Sequence, residues 1–203
     1  MNALSKTSEW QLEHPEVQNI IRNKSEHFDL IIVELMLPTQ LGFVDRFNTP
    51  AIGITSLDAV PRTHRSIGNF MHPSIYPHWM LPFRKNLTFI QRLVSTFFSW
   101  FYWAFEYFVQ FPNENEIARK HFGKNIRKLE DIEKDINMLF INVNPLYHNI
   151  RPVGPNTIQI GGGTHIKEVQ PLPKDLQDFM DKATEGVIYF SLGTNVKKFF
   201  DKR

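Results

Sequence analysis

Two places in this sequence hold residue types whose spacing could do chemistry. The first is Glu34, which closes the run Phe28-Asp29-Leu30-Ile31-Ile32-Val33. A carboxylate at the end of a branched apolar run stands where a buried strand gives way to a loop, and there it can orient an imidazole or take part in proton transfer. It can equally cap a loop or a helix end. The second is the turn Ser191-Leu192-Gly193-Thr194, which follows the apolar run Gly186-Val187-Ile188-Tyr189-Phe190. Small residues in such a turn let the backbone approach a diphosphate, while a hydroxyl and free N–H groups donate to its oxygens. Gly193 and Thr194 are the stronger candidates there, with Ser191 behind them.

Other tempting clusters carry less. Gly161-Gly162-Gly163 has no Lys-Ser or Lys-Thr after it, so it reads as a hinge and not as a phosphate loop. His64, His72 and His78 share one Pro-rich stretch, but no two are spaced as helical ligand partners and only Asp58 lies near as an acid. No metal site is expected from them, and loop packing or contact with a small molecule is the alternative. The chain has no cysteine, which removes disulfides, thiol nucleophiles and cysteine-based zinc sites together. Lys and Arg total 23 against 21 Asp and Glu, with no basic block, so nucleic-acid binding has no support. The sequons Asn23-Lys24-Ser25 and Asn86-Leu87-Thr88 would matter only in a lumenal protein.

The elements that must position these residues read as an α/β alternation. Val17, Ile20 and Ile21 share a face after Pro15, which predicts a short amphipathic helix over residues 13–22. Residues 28–34, 49–55 and 137–143 are apolar, branched runs suited to strands of a parallel sheet buried on both faces. A helix over residues 40–47 between the first two makes a βαβ unit. Residues 61–82 read as a long loop with prolines at 61, 73, 77 and 82. Residues 93–111 hold ten aromatics and one charge, Glu106. The expectation for that stretch is an aromatic-rich core helix. The alternative is an amphipathic helix that lies on a membrane surface or lines a greasy pocket, because the aromatics fill the middle and do not form two belts as in a spanning helix. Pro and Gly accumulate after residue 150, which marks a crossing at 151–172 between a first domain at 1–150 and the start of a second at 173–203. That second part should hold a helix near 173–182 and a strand over 186–194.

The stretch from Pro171-Leu172-Pro173-Lys174-Asp175-Leu176 through Val187-Ile188-Tyr189-Phe190-Ser191-Leu192-Gly193-Thr194 resembles the start of the nucleotide-binding domain of animal UDP-glycosyltransferases. The runs at 28–34 and 50–55, Arg151-Pro152 and Ile160-Gly161-Gly162 are similar to the first domain of the same family, above all its insect members. The resemblance implies a GT-B architecture of two Rossmann-like domains, the first holding the acceptor and the second the UDP-sugar. It implies a hexosyl transfer, from UDP-glucose or a related donor to a small lipophilic hydroxyl compound, with inversion and no cofactor. In that family a histidine takes the acceptor proton and an acid at a strand end assists it; Glu34 occupies the acid's position, with Glu where many members have Asp. Thr194, where serine is usual, falls at a position that contacts the UDP phosphates.

The histidine base, the region that grips uridine and sugar, and a C-terminal membrane helix are expected to lie outside residues 1–203, and no secretory leader is read at the N-terminus. Such a fragment is expected to be inactive alone, or to bind an acceptor or a full-length relative without turnover. The family resemblance places the whole protein on the lumenal side of the endoplasmic reticulum membrane, in detoxification, with membrane contact through residues 93–111. A homo-oligomer is left open.

Overall fold

The computed structural model describes residues 3–84, 86–146, 148, 151–162, 168 and 170–191. They fall into two compact units, Met1–His165 and Ile166–Arg203. The first is built on a four-stranded parallel sheet in the order β1-β2-β3-β4, with β1 at Ile31–Glu34, β2 at Ala51–Thr55, β3 at Met138–Ile141 and β4 at Thr157–Gln159. Pairing runs Val33 to Gly53 to Leu139 and Glu34 to Ile54 to Phe140, so the C-terminal ends of the first three strands lie level. This is the α/β, Rossmann-like sheet that the apolar runs predict.

Its helices come from recognisable signals. α1 (Ala3–Glu13) and α2 (Pro15–Arg22) are separated by one residue, with Pro15 at the first turn of α2, where its missing N–H has no cost. A 3-10 turn, Pro38–Leu41, leads into α3 (Gly42–Phe47) and completes the first crossover. The long return from β2 to β3 carries α4 (Pro61–Ser66), α5 (Phe89–Phe105), a π-helical turn (Glu106–Gln110), α6 (Phe111–Phe122) and α7 (Leu129–Ile132). Thr88 and Gln91 form a reciprocal capping box at the start of α5.

The core lies on one face of the sheet. Val33, Leu139 and Ile141 project from the strands against Val44 of α3, Phe111 and Ala118 of α6, and Leu129 and Ile132 of α7. Gly53 is required at the centre of β2, because a Cβ there would collide with the Leu35 side chain. The opposite face departs from expectation. Ile52, Ile54 and Phe140 are only half-buried, while Ile32 is 60% exposed, since no described element covers that face completely. Burial therefore alternates along the strands, and the two-sided burial inferred from unbroken apolar runs is not met among the described residues.

Four further readings are corrected. α1 went unread because its inward residues include Ser5 and Ser8: Ser5 Oγ donates to Glu114 Oε1 and Ser8 bonds Thr39, contacts no periodicity of apolar residues reveals. Part of the stretch at 61–82 is helix α4, which is pinned by Arg62 and Thr63 to Glu133. Part of the crossing at 151–172 is strand β4, which adds to the sheet beside β3. The aromatic stretch does form helix but is not core: Phe97, Trp100, Phe101 and Phe108 are each more than half exposed, and within α5 only Ser95 is buried. No described helix is long and apolar enough to cross a membrane.

In the second unit, α8 (Lys174–Asp181) forms where a helix is expected, with no buried residue. Residues 186–191 do not form a strand; Ile188 is 96% exposed. Among the described residues of this unit there is no neighbouring strand to accept its hydrogen bonds, and a strand does not persist unpaired.

Candidate functional site

Glu34 stands at the C-terminal end of β1, on the sheet edge where α/β proteins place their ligands. Its two carboxylate oxygens tie together the loops that leave two strands. The Met36 N–H donates to Oε1 at 3.3 Å, and the Ser56 N–H, just beyond β2, donates to Oε2 at 3.1 Å. Each oxygen keeps further acceptor capacity, so the fixed carboxylate can still receive a hydrogen bond from a partner. It lines an open groove of about 430 Å³ along β1, with Phe28, Ile32, Phe43 and Phe47 among its apolar walls and Gln11 and Gln40 as polar ones. No histidine is among the residues lining it.

The diphosphate candidates fare differently. Ser191 is exposed in the second unit, after an extended segment that follows a turn at Gly186. Gly193 and Thr194 lie outside the described residues, as does Gly163 of the glycine run.

The histidines do separate work. Asn69 Nδ2 donates to Nδ1 of His64, which leaves the proton on Nε2 to be donated to Asp58 Oδ1 at 3.0 Å. Asp58 also pairs with Arg151 at 2.8 Å, and the same Asn69 accepts from the Gly154 N–H at 2.7 Å. Asp58, His64 and Asn69 thus strap the chain leading into β4 onto α4. Burial acts to raise the Asp58 pKa, but the His64 hydrogen bond and the Arg151 charge outweigh it and hold the carboxyl below its usual range. His72 Nδ1 bonds the Ser74 hydroxyl in an exposed turn. His78 is packed against the rings of Tyr102 and Phe98.

Sequence reading missed two charged groupings. Arg62, almost fully buried, bonds Glu133 and the Leu35 carbonyl while lying over the Phe111 ring, which joins α4 to the chain before β3. Elsewhere Glu9, Glu13 and His121 converge as three ligand-type groups. Lys120 already serves both carboxylates, with Nζ at 2.6 and 3.1 Å, so this grouping is an ion-paired junction between α1 and α6.

A parallel α/β sheet flanked by helices, with a held carboxylate at the C-terminal end of a strand, defines the Rossmann-like class of folds. Residues 16–203 match the profile of the family described as UDP-glucoronosyl and UDP-glucosyl transferase, and the chain belongs to that family. It is 32% identical over 200 residues to UDP-glucosyltransferase 2 of Dactylopius coccus, covering 97% of this chain and 38% of that protein. It is 27% identical over 195 residues to the ecdysteroid UDP-glucosyltransferase of Spodoptera littoralis nuclear polyhedrosis virus, covering 92% of this chain and 37% of that one. The chain therefore spans a little over a third of the length of these relatives.

Proposed function

We propose that the protein to which this chain belongs transfers a hexosyl group from a UDP-sugar, with UDP-glucose the first choice, to a small lipophilic hydroxyl compound. Family membership supports the donor class, and the relatives known as UDP-glucosyltransferases favour glucose. One observation supports the site assignment: a carboxylate fixed by two backbone N–H groups at the C-terminal end of β1, beside a largely apolar groove. Glu34 would receive the N–H of a histidine that takes the acceptor proton, fixing its tautomer and stabilising the imidazolium formed. The freed oxygen attacks the anomeric carbon from the face opposite UDP, the C–O bond to the diphosphate breaks, and configuration inverts. The reaction needs no redox cofactor. Ser191, Gly193 and Thr194 would donate to the departing diphosphate.

A second reading for the chain taken by itself is binding of an acceptor or of a full-length relative without turnover: among the described residues no histidine lines the Glu34 groove, and residues 186–191 form no strand. Calorimetry with UDP-glucose on the 203-residue chain and on the full reading frame separates the two. Binding and transfer by the longer protein alone supports the transferase reading, whereas equal binding by the short chain moves the donor site.

The lumenal face of the endoplasmic reticulum membrane is the proposed location. The outer face of α5, where Ile90, Leu93, Val94, Phe97 and Phe101 line an open apolar surface, is the proposed membrane contact. Flotation with phosphatidylcholine vesicles should recover the chain, and Phe97→Ser with Phe101→Ser should leave it in the pellet fractions.

A further inference from the structure

The way Glu34 is held depends on a residue beyond a third strand. Of the two N–H groups that fix its carboxylate, that of Met36 belongs to the chain leaving β1 itself, whereas that of Ser56 comes from the exit of β2, at 3.1 Å. The paired stretch of β2 ends at Thr55, and Ser56 is exposed. Sheet pairing therefore does not fix the residue that fixes Glu34.

Asn142, the first residue after β3, does. Three consecutive carbonyls of the β2 exit converge on it: its N–H is shared between the Thr55 and Leu57 carbonyls, each at 3.2 Å, and its side-chain amide donates to the Ser56 carbonyl between them at 2.9 Å. Thr55 Oγ1 closes the turn with its own donation to the Leu57 carbonyl at 2.8 Å. Asn142 stands between Ile141 and Val143, both buried, so the backbone that carries the amide is anchored in the core. The exposed Ser56 carbonyl could be satisfied by water, and the fold does not require the Asn142 amide for that purpose. What the amide supplies is direction. With the Ser56 carbonyl held by Asn142 and its N–H held by Glu34, the peptide planes on both sides of this residue are restrained, and the carboxylate is locked to the strand ends. The requirement at 142 is narrow: Asp has the shape without the N–H donor, and Leu has neither donor nor acceptor.

We propose that Asn142 is a positioning residue for the transfer reaction, holding Ser56 so that its N–H keeps the Glu34 carboxylate aimed at its partner. The inference rests on the reading of Glu34 as the acid that orients the histidine base. Asn142 itself touches no substrate. Its effect reaches the chemistry only through the placement of the carboxylate, and a displacement of about 1 Å caused from outside the reacting groups can lower a rate by about 10²-fold.

The test is a double-mutant cycle of Asn142→Leu and Glu34→Gln in the full-length protein, by steady-state transfer from UDP-glucose to 2-naphthol. Asn142→Leu should lower kcat by about tenfold and leave the KM for UDP-glucose unchanged. It should also move the acid limb of the kcat/KM profile to lower pH, because a carboxylate held less well stabilises the imidazolium less and the pKa of the base falls. In the Glu34→Gln background the same substitution should change kcat by less than about twofold, since the group it positions is already neutralised. A purely structural role gives the same factor in both backgrounds. Equal factors, or an unchanged kcat for Asn142→Leu alone, overturn the inference while a low kcat for Glu34→Gln leaves the Glu34 reading standing. An unchanged kcat for Glu34→Gln overturns that reading, and this inference with it. If Asn142→Leu does not fold, Asn142→Ala removes the same donor without adding bulk and takes its place in the cycle, judged by the same outcomes.

Discussion

The runs at 31–34 and 186–191 are written in nearly the same alphabet, yet only the first becomes a strand. Ile31–Glu34 pairs along its length with Ala51–Ile54, and the core beneath it includes Leu139, which is fully buried. The run Val187-Ile188-Tyr189-Phe190 has the higher aromatic content, forms no strand and stays exposed. An apolar, branched sequence specifies a strand only where another strand satisfies its backbone and a helix covers its side chains. The contrast also separates the two sets of candidate residues. Glu34 is held by backbone groups of its own unit, while Ser191 follows a segment whose order needs partners not found among the described residues of its unit.

The sharpest way to break this comparison is in the first unit's buried ion pair. Glu133→Ala leaves Arg62 charged and almost fully buried, and should cost about 3–5 kcal/mol in urea unfolding of the chain. A loss below 1 kcal/mol would mean that α4 is not tied to the core as described. Leu139→Ala comes next, at about 2–5 kcal/mol, because the side chain is wholly enclosed. Ile188→Ala, its counterpart in the second unit, should change stability by less than about 0.5 kcal/mol. Equal effects at the two positions would show that the second run is packed after all.

A smaller effect is read at His78, packed against the Phe98 and Tyr102 rings of α5. His78 has a folded pKa near 4 against an ordinary 6.5, so the unfolded chain binds the extra proton first as pH falls. Its contribution to stability is complete above about pH 6.5 and is lost progressively towards pH 4. Burial raises the pKa of Glu106 and Glu114, which pulls the other way: their cost is absent at low pH and grows as pH rises past the ordinary carboxylate range. The comparison that isolates the imidazole is therefore native against His78→Phe, whose stability difference should vary between pH 7 and pH 5 in favour of the variant at the lower value.

Much of the fold was legible because it follows from local rules. Apolar runs located β1, β2 and β3, and the spacing of Val17, Ile20 and Ile21 located α2. The rest depended on contacts between residues far apart. α1 turns Ser5 and Ser8 inward to polar partners on α6 and the 3-10 turn, which hides its buried face from any hydrophobic count. β4 is three residues inside a Pro-Gly stretch and exists because β3 offers it an edge. α5 misled in the other direction, since aromatic richness implies burial on average while most of this helix faces outward. The strand end at Glu34 was legible, but the Ser56 N–H that fixes its second oxygen comes from just beyond the next strand, 22 residues away. The aromatic packing around His78 left no mark in the sequence beyond the residue types themselves.

The central claim is that Glu34 serves proton transfer at the sheet edge and is not merely a cap. It is tested most directly by Glu34→Gln in the full-length protein, with UDP-glucose and 2-naphthol in steady-state transfer. Glutamine preserves the shape and its one oxygen can accept from either Met36 or Ser56 but not both, so the variant should lose about 1–3 kcal/mol of stability yet still fold and keep the KM for UDP-glucose. kcat should fall by about 10³–10⁴, as when an orienting carboxylate is neutralised beside a catalytic histidine. An unchanged kcat in a folded variant would contradict the assignment and leave Glu34 as the strand-end cap that its hydrogen bonds also describe.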